Sequence, residues 1–177
     1  MIRTHATAAA SRTHAPRGKC GCGKPLRTDG GECNACRAQR LERERAEFAA
    51  GALRGPGRPL DADARQQFGA WFGHDFSGVR IHDDDATRRA GQAAGARAWT
   101  LGRAIGFAEG AYRPANREGR RLLAHELAHV IQQRGVPSAA GTVASPGHAE
   151  ERAAEHAAAS WDAGRRAPAQ PAAAAAV

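Results

Sequence analysis

The sequence predicts an α+β domain of helices and a short β-hairpin, preceded by a small cysteine module. Three observations carry that prediction. Apolar residues recur at helical spacing in 60–72 and again in 117–133. An alternating pattern broken by Leu101-Gly102 fills 98–107. Four cysteines crowd into 20–36, ahead of a stretch rich in Gly and Pro. A chain of 177 residues has room for one domain of about 100 residues with a stapled module and tails, not for a multidomain enzyme.

The elements follow in order. Residues 1–18 have no apolar period and are expected to be disordered. The cysteine module occupies 19–37. Residues 38–58 hold a charged, exposed helix, RAQRLERERAEFAA from Arg37 to Ala50, and then a linker, GALRGPGRP, that breaks it. The folded domain spans 59–163. Its first helix carries Leu60, Ala64, Phe68, Trp71 and Phe72 on one face and ends at Gly73, with Trp71, Phe72 and Trp99 expected in the core. Val79-Arg80-Ile81 predicts a short strand, Asp85 to Ala94 a helix, and Ala98-Trp99-Thr100 with Ala104 to Phe107 a hairpin. Asn116 is the expected N-cap of a third helix that stops at Gly135, with Pro137 beyond. A loop over 135–147 leads to a fourth helix at about 148–161, and the Ala/Pro tail 164–177 is expected to be mobile.

The net charge of +8 raises the question of nucleic acid. Residues 1–58 carry a net +7 and residues 59–177 a net +1, so the basic character belongs to the N-terminal segment. Arg outnumbers Lys 24 to 2 beside abundant Ala and Gly, a pattern of coding bias more than of a binding surface. Nucleic acid is therefore not the expected partner. No apolar run approaches the roughly 20 residues of a membrane helix, and the N-terminus lacks a signal-peptide core. A soluble protein made in the cytoplasm, without a conventional secretion signal, is expected.

The chemistry is concentrated in His125-Glu126-Leu127-Ala128-His129. On a helix the two histidines stand about 40° and one turn apart, so both rings leave one face, ready to share a zinc ion. Leu123, Leu127, Val130 and Ile131 fall on the opposite side. Glu126 lies about 100° around from His125, where it can act as general base toward water activated by the metal. Catalytic zinc takes three protein ligands and keeps one position open. The third is expected on the last helix, where Glu151 and Glu155 stand at i,i+4. One of these can bind while the other orients a ligand imidazole. We assign Glu151 as the ligand, with Glu150, Glu155 and His148 in reserve. The competing account makes these carboxylates a solvated face paired with Arg152.

The spacing Cys20-x-Cys22-x10-Cys33-x2-Cys36 reads as a zinc-knuckle-like module with four thiolate ligands, flanked by Gly21, Gly23, Gly30 and Gly31. Disulfides are its alternative if the protein is exported in a particle. His82, beside Asp83, Asp84 and Asp85, reads as a turn leading into a helix N-terminus more than as a ligand. His74 reads as structural.

The blocks FGHDFSGVRIH, ARAWTLGRAIGF and GRRLLAHELAHVIQQ, within residues 57–133, resemble the core domain of bacterial extracellular contractile injection systems (eCIS). That family is described as metallopeptidase-like, and the resemblance implies a minimal zincin-like fold. It also implies a Pro-Gly-led last helix whose Glu, here Glu151, is a ligand. An Asp is usual four residues later, where this chain has Glu155. From the resemblance and from zincin architecture, Ile105-Gly106-Phe107 is expected to be the edge strand that holds extended peptides, unless it serves plain core packing. Three functions are open: a zinc metallopeptidase acting on peptides or proteins, a catalytically inactive cargo or assembly module of the injection particle, and a basic zinc-knuckle binder of nucleic acid.

Overall fold

The computed structural model describes residues 19–20, 22–24, 32–134 and 147–168. The expectations for 1–18, for Gly21, Gly30 and Gly31, for the loop from Gly135 and Pro137 onward, and for the tail after Pro168 lie outside the described residues. Among the described residues there are five helices and a four-stranded sheet: α1 (Asn34–Ala52), β1 (Arg58–Pro59), α2 (Ala62–Phe72), β2 (Arg80–His82), α3 (Asp85–Ala94), β3 (Ala98–Leu101), β4 (Ala104–Phe107), α4 (Arg117–Gln132) and α5 (His148–Asp162). The chain divides into two compact units, Met1–Leu41 and Glu42–Val177. No described helix is long and apolar enough to cross a membrane.

Local chemistry sets the helix ends. Gly73 and Gly95 close α2 and α3 in the left-handed conformation, each with φ of 64°. The Asp84 carboxylate accepts from Thr87 N–H at the start of α3, and Asn116 Oδ1 accepts from Gly119 N–H at the start of α4. Within the larger unit the last turn of α1 is not an exposed helix end. Ala49 and Leu53 are buried with Ala90 and Trp99, and the Trp99 indole N–H donates to the Ala49 carbonyl.

The sheet order is β1-β2-β4-β3, with β2 and β4 parallel and the other two pairs antiparallel. β4 is therefore internal, and the expectation that Ile105-Gly106-Phe107 forms the edge is corrected: it packs in the core, and β1 and β3 are the edge strands. A parallel partnership needs a crossover, and α3 with β3 supplies the chain length that brings β4 alongside β2. β1 was hidden in the sequence because two residues, one of them a proline, carry no strand signal. An edge position suits Pro59, which has no N–H to give to a ladder.

Strand alternation sorts the side chains. Ile81, Ile105 and Phe107 face the main core with Leu60, Phe68, Phe76, Val79, Leu123, Leu127 and Val130. Trp99 lies on the other face, over Gly106, where a Cβ would come within 2.6 Å of the indole. Its neighbour Thr100 consequently turns toward α4. Two consecutive glutamines at the end of α4 tie it in different directions. Gln133 Oε1 accepts from Gly102 N–H and its Nε2 donates to Thr100 O, while Gln132 reaches α5.

α4 and α5 meet through Ala128, Ala154 and Ala157, all fully buried, with Trp71 and Phe72 alongside. Methyl groups at a helix contact let the backbones approach closely. Trp71 also donates to the Arg165 carbonyl, so the chain just after α5 packs on α2. Ala157→Leu should overfill this contact, costing about 1–3 kcal/mol and lowering metal affinity, because α5 carries Glu151. Denaturant midpoints and zinc titrations matching those of the parent would contradict this packing account.

Candidate metal centre

Helix α4 presents His125 and His129 to α5, and Glu151 in the first turn of α5 completes a group of three donors. Their ligand atoms lie within 4.8 Å of one another. The two Nε2 atoms are 3.1 Å apart, and Glu151 Oε1 and Oε2 lie 3.2 Å from His125 Nε2 and 3.3 Å from His129 Nε2. A tetrahedral zinc ion with bonds of about 2.0–2.1 Å needs ligand atoms about 3.3 Å apart. Two imidazoles and a carboxylate are also a donor set that zinc favours. The group can hold a metal ion, and its dimensions fit zinc.

The surroundings divide into a dry and a wet side. His129 is 5% exposed, and its Nδ1 lies 2.7 Å from Gln132 Oε1. His125 borders the groove, and burial, followed by the charge of His129, holds it below the usual imidazole range. That keeps the ring neutral, as a ligand must be. Its Nδ1 lies 3.7 Å from Glu155 Oε2, while the other Glu155 oxygen pairs with Arg121. Glu155 thus stands behind the His125 ring, on the side away from the other two donors. Of the other reserves, the Glu150 carboxylate accepts from Gly147 N–H at the head of α5, and His148 is exposed; neither belongs to the group of three donors.

Glu126 points to the sheet side of α4. It is 4% exposed, and Thr100 Oγ1 donates to its Oε2 at 2.7 Å. Burial pushes its carboxyl up to about 7; the Thr100 bond opposes this and the Glu151 charge adds to it. A groove of about 440 Å³ runs along this flank, with His125, Glu126, Ala98, Leu122 and Glu155 in its walls. Two ion pairs border it, Arg97–Glu118 at 2.7 Å and Arg121–Glu155.

Sequence reasoning did not assign roles to Thr100, Gln132 and Arg121. A signal existed for the first two: a hydroxyl at an inward position of a hairpin, and an amide one turn after a ligand on the buried side of its helix. His82, expected at a turn, is instead the last residue of β2 and 3% exposed, with Gly57 against its ring. It is not among the candidate ligands. His74 meets Phe76 edge to face and accepts from Arg134.

In the smaller unit, Cys20, Cys22, Cys33 and Cys36 are free thiols whose sulfurs also lie within 4.8 Å of one another. Cys22 Sγ and Cys33 Sγ are 3.6 Å apart, near the edge of about 3.8 Å expected for bonds of ~2.3 Å to zinc. Backbone N–H groups of Cys22 and Cys33 lower the Cys20 thiol to about 6, and that of Cys36 lowers Cys33. Cys36 is raised, chiefly by Cys20. Thiolate character is what a metal requires of this cluster.

These features define an α+β domain with a group of three donors that could hold a metal ion beside a buried glutamate, and a separate cluster of four thiols. Residues 59–137, just under half of the chain, match the family model of the eCIS core domain. The matched stretch contains His125, Glu126 and His129 but ends before α5, so Glu151 comes from outside it. No curated protein and no solved structure matches the chain.

Glu151→Ala should weaken zinc binding at the histidines far more than Glu150→Ala, whose carboxylate serves the helix start. Glu155→Ala should cost an intermediate ~10–100-fold, as loss of a ligand-orienting group does. Chelator-competition titrations giving one affinity for all three would show that the segment is misassigned. Glu126 also predicts a pH dependence in metal-free protein. Its folded pKa lies above its unfolded value, so stability falls as pH rises from about 4.5 through 7. The loss, on the order of 3 kcal/mol, should be complete at alkaline pH. Glu126→Gln should not follow that fall, and parallel stability–pH curves for the two proteins would contradict the burial assigned to Glu126.

Proposed function

We propose that the protein is a zinc-dependent peptidase that works in association with a contractile injection particle. The observation that carries the reading is Glu126, a carboxylate buried in the groove wall, held by Thr100 and raised to about 7. Burying an ionisable group costs free energy, and a metal site serving only the fold has no use for one beside its ligands. A general base does, because its pKa should lie near the working pH. The eCIS core match over residues 59–137 supports the association with contractile injection systems.

His125, His129 and Glu151 would hold the zinc and leave one coordination position open. When bound, the ion would supply Lewis-acid polarisation of the scissile carbonyl and of water. Thr100 occupies Glu126 Oε2, so Oε1 takes the proton of the attacking water and returns it to the leaving amine nitrogen. The substrate would lie extended along β3, the edge strand on the groove side, whose Ala98 lines the groove. Gln133 already bonds the Thr100 carbonyl, so the added strand would engage β3 from its Ala98 end.

The same family match favours a second reading, in which the domain is a cargo or assembly module and the metal braces α4 against α5. One substitution separates the two. Glu126→Gln keeps the three donors, so zinc content should stay near that of the parent and stability near neutral pH should not fall below it. Cleavage of a broad peptide library should fall by ~10²–10⁴-fold. A parent protein that cleaves nothing, together with a Glu126→Gln variant that still assembles into its particle, would replace the peptidase with the module.

A further inference from the structure

We propose that Gln132 presets the metal centre: its amide locks His129 into the Nδ1–H tautomer and ties that ring to the backbone of Glu151's own turn. The inference rests on the metal-binding part of the proposed function and does not require peptide cleavage.

The argument follows from which atoms can donate. Gln132 is 2% exposed and lies one turn after His129 on α4. Its Nε2 lies 3.0 Å from the carbonyl oxygen of Glu150, in the first turn of α5. A carbonyl oxygen only accepts, so the amide must turn its NH2 side to α5. That sends Oε1 to His129 Nδ1, at 2.7 Å. An amide oxygen also only accepts, so Nδ1 carries the proton. In a neutral imidazole the lone pair is then on Nε2, the atom 3.1 Å from His125 Nε2 and 3.3 Å from Glu151 Oε2.

One amide therefore does two things. It leaves His129 with its lone pair aimed at the metal position, and it fixes the α5 backbone immediately before the carboxylate ligand. The Nδ1 of His125 instead faces a half-exposed Glu155 carboxylate at 3.7 Å, a looser hold than the buried amide. The His129–Glu151 half of the centre is thus tied together through one buried amide. Gln132 is a positioning residue; it does not touch the metal position.

Long-range 1H–15N NMR of the imidazole rings in the full-length protein tests this, because ring signals report tautomer directly and zinc uptake at this site alone. Zinc at the four cysteines does not enter the readout. In metal-free parent His129 should be the Nδ1–H tautomer. In Gln132→Met, similar in size but without the hydrogen bonds, the Nε2–H form should appear and zinc affinity at the rings should fall by ~10–100-fold. Gln132→Glu retains an acceptor for Nδ1 but has no N–H for the Glu150 carbonyl, so it should restore the Nδ1–H tautomer and only part of the affinity; it also decides the tautomer if Gln132→Met does not fold. An Nε2–H ring in the parent, unchanged affinity in Gln132→Met, or a Gln132→Glu variant that loses the Nδ1–H form would overturn the proposal. If the parent rings take up no zinc, the metal reading falls and this role falls with it. If the parent binds zinc and Gln132→Met binds it equally well, only the role of Gln132 falls.

Discussion

Helix α4 has to satisfy three neighbours at once, and the rest of the domain is arranged around that constraint. Leu123, Leu127 and Val130 complete the main core against the sheet. Ala128 meets the alanines of α5. His125 and His129 lie along that same seam, near enough to α5 for Glu151 to reach them. A larger residue at the alanine contact would hold the helices apart and separate the donors, so the packing of methyl groups and the assembly of the metal centre are one geometric fact. The two closing glutamines extend it. Gln133 pins α4 to the β3–β4 turn and Gln132 pins it to α5.

The polar groups follow from the same burial. Glu126 leaves α4 toward the sheet and meets the Thr100 hydroxyl, one hydrogen bond in a setting that disfavours its charge. His125 is partly desolvated and stays neutral. A buried carboxylate and a neutral imidazole stand side by side in the wall of one groove. Neither group acquires this character from its own residue type; the fold confers it by excluding water from one flank of α4 and leaving the other wet.

Much of this was legible from particular residues. The ends of α2, α3 and α4 are written in Gly73, Gly95 and Asn116, because caps act locally. The histidine pair is legible because helical geometry alone sets its spacing. Glu151 needed more, since choosing among neighbouring carboxylates depends on how α5 is rotated, and the alanine seam settles that rotation. The sequence leaves Ile105-Gly106-Phe107 open between an edge and plain core packing, because strand order depends on the α3 crossover, which no local pattern encodes. β1 was invisible for a different reason: two residues held by a partner strand carry no propensity signal. Thr100 and Gln132 went unassigned because a polar residue pointing inward gains a role only when its partner is known.

The central claim is that His125, His129 and Glu151 form one zinc site. Anomalous diffraction at the zinc edge from crystals of the full chain grown with zinc tests it most directly. The account predicts a strong peak about 2.0–2.1 Å from both Nε2 atoms and from a Glu151 oxygen, separate from any peak at the four cysteines. No density between the histidines at saturating zinc, or a peak there with Glu151 turned away and another side chain in its place, would contradict it.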